Sequence, residues 1–350
     1  QLAIIFIQLY VLSNVVIPLF FLNLLKFKIY STSMKLLAFF ISFFIIQFIT
    51  AQQVDFTHID FQKFYRVGNS DEVFLPLGDI SFVDKVTYFK EGDPKAEKAY
   101  TNTDHALGAP DYVKYPDKTY LSLGCSGELV VEFKNNGFID IDGPDLYFFE
   151  VGPSVEAFEV YISKDGKNWI YVQDTSGGSS YVDIASVEKG KTKDIYYYIK
   201  LKDLGSFCDG PTAGADIDAI GTIGGVLKVN IDANLLFDLD KFQLKSKALS
   251  TLDNFLIGLH KIPEAEVIIE GHTDAQASHE YNQELGLNRA KSVEEYLLQH
   301  LREKAENYEF QVKSKGETQP IATNKTAIGR QKNRRVEIIV IPSEDFYKRP

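Results

Sequence analysis

The sequence predicts a multidomain chain: an all-β sandwich over residues 52–225, then an α/β domain over residues 229–342 with helices packed on a mixed sheet. Two observations carry this. The middle of the chain is a series of short apolar runs punctuated by Gly, Pro, Asn and Asp, with almost no helical stripe. After residue 229, β-branched runs alternate with two stretches whose apolar residues recur at helical spacing. Hydrophobic residues make up 45% of the 350 and charged residues 24%, a globular balance that argues against disorder.

Strand candidates in the middle region are residues 120–123, 128–133, 146–150, 157–163, 171–173 and 196–201. Turn clusters separate them, among them Lys164, Asp165, Gly166, Lys167 and the group Ser176, Gly177, Gly178. Alternation through Ala157, Phe158, Glu159, Val160, Tyr161 and Ile162 fits a strand with one face against a second sheet. Trp169, the single tryptophan, is expected to cap that core.

In the second domain, residues 229–231 read as a strand and 242–260 as a helix with Leu244, Leu249, Leu252, Phe255, Leu256 and Leu259 apolar. Pro263 bars its continuation. Residues 267–270 are a β-branched strand closed by Gly271, and 281–304 a second helix. Residues 310–312 and 336–341 complete a sheet, and 343–350 are a tail. Asp274 thus sits in the loop leaving a strand, and Arg289 about two turns into the next helix, so their charges can face one pocket. An acid and a guanidinium held together suit a zwitterion: Asp274 takes an ammonium, and Arg289 grips a carboxylate with two parallel hydrogen bonds. The competing reading is a salt bridge between the two that only supports the fold.

Around this pair, motifs stand in one order: Gly271, His272, Thr273, Asp274; Tyr281, Asn282, Leu285, Arg289, Ala290; then Gly329, Arg330 and Asn333, Arg334, Arg335, Val336, Glu337. Residues 229–342 resemble the OmpA-like peptidoglycan-binding domain, also found in Pal and MotB proteins. The resemblance implies that Asp274 and Arg289 hold diaminopimelate, the zwitterionic amino acid of the cell-wall peptide. Thr273 and Asn282 match flanking positions and are candidates for hydrogen bonds to it. Arg330 and Arg335 are further candidates, for acidic peptide or glycan groups. Two positions depart from the pattern: Ala277 replaces a usual Gly, and Gly286 the Ser usual before the Arg. Glycine inside a helix costs about 1 kcal/mol relative to Ala, so a loose helix start is expected.

A second resemblance covers about residues 78–225, on Ala106, Leu107, Gly108, Ala109, Pro110, Asp111; Gly143, Pro144, Asp145, Leu146; and Gly214, Ala215, Asp216, Ile217, Asp218, Ala219. These look like a jelly-roll-like module of bacterial surface proteins, similar to discoidin or galactose-binding domains. That implies an extracytoplasmic scaffold or binding module, with a carbohydrate as candidate ligand.

Met34, the only methionine, opens a basic residue, an apolar run over 36–46 and a small residue at Ala51, so residues 34–51 read as a secretory signal peptide. Residues 1–33 are expected to be translated leader, not part of the mature protein; the alternative is a membrane span within them. No Cys follows the signal, so no lipoprotein anchor is read there. Export to the periplasm, with outer-membrane association, is the expected location. Residues 52–228 carry 17 basic against 29 acidic residues, the opposite of a nucleic-acid partner's requirement. In an exported chain Cys125 and Cys208 most simply form one disulfide, two buried free thiols being the alternative. Asp142, Asp145, Glu150, Asp216 and Asp218 offer hard oxygen ligands in loops, which suits Ca2+. Solvated turns are the competing reading, and no other cofactor is expected.

Catalysis is not expected. Gly124, Cys125, Ser126, Gly127 lacks the spacing of a nucleophile elbow, and there is no phosphate-binding or dinucleotide fingerprint. His272 has no second His or Cys at ligand spacing and reads as a structural hydrogen-bonding residue. The leading expectation is a non-catalytic envelope protein that binds peptidoglycan and tethers its β-sandwich to the wall, with an outer-membrane or surface protein as a candidate partner. Two alternatives stand beside it: a membrane-anchored, MotB-like assembly subunit, and a glycan-binding adhesin acting through the sandwich.

Overall fold

The computed structural model describes residues 54–67, 71–152, 156–175, 180–187 and 194–350. The leader, the signal peptide and the turn at 176–178 lie outside the described residues. The strands are β1 (Lys63–Val67), β2 (Asp71–Leu75), β3 (Lys85–Lys90), β4 (Leu121–Ser122), β5 (Glu128–Glu132), β6 (Asn136–Phe138), β7 (Leu146–Glu150) and β8 (Phe158–Ser163). They continue as β9 (Ile170–Asp174), β10 (Tyr181–Val182), β11 (Tyr198–Asp203), β12 (Asp216–Thr222), β13 (Gly225–Asp232), β14 (Ala265–His272), β15 (Tyr308–Gly316) and β16 (Arg335–Pro342). The helices are α1 (Ala233–Leu236), α2 (Ala248–Leu259), α3 (His279–Leu301) and α4 (Ala327–Asn333).

In the middle region one sheet has the order β10-β7-β12-β4 and another β3-β5-β11-β8-β9. Their apolar side chains meet in one cluster: Leu129, Val131, Phe158, Val160, Ile162, Ile199 and Leu201 from one sheet, Leu146, Phe148, Ile217 and Ile220 from the other. The alternation expected in β8 is present, with Phe158, Val160 and Ile162 buried and Glu159 and Tyr161 between them half-exposed. Each fully buried side chain of this size contributes about 1.5–3 kcal/mol. Trp169 corrects an expectation. It is absent from that core and lies on the outer face, with Lys200 Nζ 5.1 Å from its ring centroid.

The C-terminal sheet runs β15-β14-β16-β13-β6 and is mixed: β14 pairs parallel with β15, the rest antiparallel. Period-2 alternation sends Val267, Ile269, Val336, Ile338, Val229 and Ile231 to the face covered by α2 and α3, where Leu252, Phe255, Val293 and Leu297 meet them. Val226, Ile268 and Ile339 face the other way and join Ile139 of the middle region.

Two segments cross the boundary read from sequence. Strand β6 pairs with β13, Phe138 opposite Gly225, and so extends the C-terminal sheet. Near the start, Phe56 is buried beside Phe255 and Gly258, and the Asn254 side chain bonds Phe56 N and Val54 O. Residues Gln53–Pro350 accordingly form one unit. A three-residue strand paired about ninety positions away leaves no local periodicity to read.

Helix α2 starts later than expected, at Ala248, because the preceding residues are bridged back to the end of α1: Leu244 pairs antiparallel with Phe237, and Lys245 N donates to Leu236 O at 2.8 Å. The loose start expected for α3 is also corrected. Ser278 Oγ accepts from Tyr281 N at 3.3 Å, and the helix is regular from His279. Gly286 is there for space. A Cβ on it would stand 2.4 Å from Ser314 Oγ, and one on Gly271 would stand 1.9 Å from Gly286 O.

Candidate functional site

Strand β14 ends at His272 and delivers Thr273 and Asp274 to the rim of a cleft of about 620 Å³. Helix α3 adds Tyr281, Asn282, Leu285 and Arg289, four apart or nearly so on one face. The turn before α2 adds Leu239 and Asp240, and the end of α4 adds Arg334.

Asp274 and Arg289 line one cleft, as the spacing predicts, but do not pair with each other. Asp274 Oδ2 accepts from Arg334 Nη1 at 2.5 Å, and its Oδ1 accepts from Gln276 N at 3.1 Å. Arg289 Nε donates to Lys241 O at 3.0 Å, and the guanidinium carbon lies 5.4 Å from the Phe237 ring centroid. Arg289 is only 3% exposed and makes no ion pair among the described residues. Burial, above all, pulls its pKa below the usual guanidinium range, and Arg334 adds to this while Asp240 opposes it. Three polar atoms of lining residues have no hydrogen-bond partner among the described residues: Thr273 Oγ1, Arg289 Nη1 and Arg334 Nε. A buried N–H left unpaired costs about 1–3 kcal/mol, so the cleft has a standing affinity for an acceptor.

Of the flanking candidates, Asn282 lines the cleft and donates to Ala277 O at 3.3 Å. Arg330 and Arg335 do not line it. Arg330 Nη1 is spent on Asn324 O at 3.0 Å. Arg335 lies opposite His272 and points to the other face of the sheet, its Nε 2.6 Å from Glu337 Oε1. The residue that reaches the cleft is Arg334, one position before β16 begins. Alternation on either side of that start was the signal available: Val336 belongs to the helix face, so Arg335 cannot.

His272 is not the hydrogen-bonding residue expected. Both ring nitrogens lack a hydrogen-bond partner among the described residues, and Nε2 stands 3.9 Å from Glu270 Oε2 and 3.8 Å from Glu337 Oε1. Burial first, then Arg335, pushes its pKa down to about 3. These three residues bring donor atoms within 4.8 Å of one another. However, Arg335, Lys228 and Lys315 already neutralise the two carboxylates, which leaves a divalent cation facing three positive charges.

The carboxylates expected to bind Ca2+ fall into separate places. Asp142 is exposed. Asp145 is buried with Asp140 and Asp183 within 4.8 Å, accepting from Ile141 N and Ile184 N at 2.8 Å each, and burial pushes its pKa up to about 8. Asp216 accepts from Ser122 Oγ, its cross-strand partner, and its neighbour Ile217 pairs with Glu150, which accepts from Glu156 N. Asp218 accepts from Asp111 N and Tyr112 N. Cys125 and Cys208 are joined in a disulfide, with Cα atoms 5.2 Å apart.

The OmpA family model matches residues 236–334, which spans the whole cleft. The peptidoglycan-associated lipoprotein of Pseudomonas aeruginosa is 32% identical over 126 residues, 36% of this chain and 73% of that protein. The chain belongs to the OmpA family. Outer membrane protein A of Bordetella avium is 38% identical over 116 residues, 33% of this chain and 58% of that protein. Outer membrane porin F of P. aeruginosa is 33% identical over 132 residues, 37% of either chain. The alignment thus spans between about a third and three fifths of these last two relatives, and the rest of this OmpA-family chain lies outside it. Membership places it among exported proteins of the cell envelope, periplasmic or associated with the outer membrane. Among the described residues no helix is long and apolar enough to cross a membrane.

Proposed function

We propose that the chain is a non-catalytic envelope protein that binds peptidoglycan through the cleft between β14 and α3 and tethers its two-sheet region to the wall. One observation carries the reading: a buried arginine, Arg289, has an unpartnered Nη1 and no carboxylate, in the same cleft as the acid Asp274. A zwitterion supplies the anion that Arg289 lacks and offers Asp274 a cation in place of Arg334. Diaminopimelate of the wall peptide, whose end carries an ammonium and a carboxylate on one carbon, is the ligand the family resemblance implies. Asp274 takes the ammonium, Arg289 the carboxylate, and Thr273 and Asn282 stand beside them. Pull-down of the full chain with purified sacculi tests this directly. Retention that free diaminopimelate competes away supports the reading, and retention indifferent to it removes the cleft from the account.

A second reading has its own observation. One row crosses all five strands of the larger middle sheet on its outer side, Tyr88, Val130, Lys200, Tyr161 and Tyr171 in register. Tyr88 is 49% and Tyr171 48% exposed, so the row offers aromatic surface that a sugar's C–H face can cover. A glycan array probed with the full chain and with a Tyr88→Ala, Tyr171→Ala variant separates this from wall binding through the cleft.

A further inference from the structure

The ammonium subsite of the cleft is already filled by a cation of the chain itself. Arg334 follows directly on α4, and its backbone is held on both sides: its N–H donates to Arg330 O at 3.1 Å and its carbonyl accepts from Ala233 N at 3.0 Å. Asn333, wholly buried, ties the preceding turn to Ile321, Ala322 and Asn324. From this fixed point the Arg334 side chain reaches Asp274. The two side chains are 20% and 11% exposed, so water shields the pair only in part.

An amine that takes Asp274 alone must therefore break an ion pair and leave a guanidinium without its anion in a half-dry cleft, which is strongly unfavourable. A zwitterion does not face that cost. Its ammonium takes Asp274 while its carboxylate gives the displaced Arg334 a new partner. The donor inventory fits such an exchange: Arg334 Nε, on the edge of the guanidinium not used by Asp274, is unpartnered, as is Arg289 Nη1. A carboxylate accepts from a guanidinium edge with two parallel hydrogen bonds, and a lone amine cannot.

We propose that Arg334 is the specificity-determining residue of the cleft: it occupies Asp274 in the free protein and yields it only to a ligand bearing an ammonium and a carboxylate together. This rests on the zwitterion reading of the cleft, and charge exchange, not contact area, sets the preference.

The test compares meso-diaminopimelate with 1,5-diaminopentane, the same chain of two amines without its carboxylates, by NMR titration of the full-length protein. Wild type should bind the diamine about tenfold or more weakly than diaminopimelate. Arg334→Gln and Arg334→Met free Asp274, so the diamine should bind about threefold or more tightly to them than to wild type. Diaminopimelate should bind them no more tightly than before, and the preference should close from both sides. Circular dichroism identifies a variant that fails to fold, and the other variant then carries the reading. If wild type prefers diaminopimelate but both variants bind the diamine no better than wild type, Arg334 is a plain structural partner and the proposal is wrong, while the zwitterion reading stands. If wild type binds neither probe, the zwitterion reading falls and takes this proposal with it.

Discussion

A Cβ on Gly271 would stand 1.9 Å from the carbonyl oxygen of Gly286, so strand β14 and helix α3 meet backbone to backbone beneath the cleft. This contact sets the distance between the strand that carries Asp274 and the helix that carries Arg289. Gly271→Ala must push the helix away and should destabilise the fold by about 3 kcal/mol. Gly286→Ala meets the rotatable Ser314 hydroxyl at 2.4 Å and the Gly271 carbonyl at 2.8 Å. It also recovers about 1 kcal/mol of helix propensity, so its cost should be clearly smaller. Urea unfolding of the two variants checks the order; equal losses would show that the backbone contact does not govern the packing here.

Asp274→Asn keeps the shape of the cleft but removes a charge, and Arg289→Ala removes the carboxylate clamp. Losing one partner of a desolvated charge contact costs about 2–5 kcal/mol, and nearer 1 kcal/mol in an open cleft. About 1.4 kcal/mol is one decade of affinity, so each variant should bind sacculi roughly tenfold more weakly. Both residues grip one zwitterionic carbon, so the double variant should lose less than the sum of the singles. Folded variants that sediment with sacculi as wild type does would reduce the two residues to structural roles.

Stability should fall as pH rises from 6.5 to 8. Burial pushes Asp145 up to about 8, Asp216 and Asp218 to about 7, and Glu156 to about 9. Unfolded, such carboxyls ionise near pH 4, so over the intervening range the folded chain holds protons that the unfolded chain releases, and raising pH favours unfolding. His272 works oppositely. Buried and held near 3, it stays neutral while the unfolded chain takes a proton below about pH 6.5, so its contribution grows as pH rises to that point and is then constant. Above pH 6.5 the carboxyls decide the slope. Calorimetric melting should show a lower Tm at pH 8 than at pH 6.5, and Asp145→Asn should flatten the difference. A Tm that is level or rising over that interval would mean the four carboxyls are ionised in the fold.

Reducing Cys125–Cys208, which closes 83 positions of chain, should cost about 4 kcal/mol on the loop-entropy model. The bond ties the loop between β4 and β5 to the loop between β11 and β12, and neither loop contributes a residue to the cleft lining. Reductant should therefore lower Tm while leaving diaminopimelate affinity unchanged in the protein that remains folded. A parallel loss of affinity would mean that the middle region supports the cleft.

What the sequence determined by itself is what repeats locally. Period-2 alternation in residues 157–162 and the helical stripe through Leu285, Val293 and Leu297 need only neighbouring residues to be legible, and both stand where they were read. The same local arithmetic put Asp274 at a strand end and Arg289 two turns into a helix, and so into one cleft. Tertiary structure decided what depends on residues far apart. The partner of Asp274 is Arg334, sixty positions on; alternation from Val336 sets Arg335 on the other face, but no spacing rule chooses Arg334 over Arg330 as that partner. Likewise Asn136, Gly137 and Phe138 are too short a run to announce a strand, and become one only because β13 presents an unpaired edge. Gly286 reads in sequence as a weak point in a helix. Only the carbonyl and hydroxyl packed against it show that a side chain there has no room.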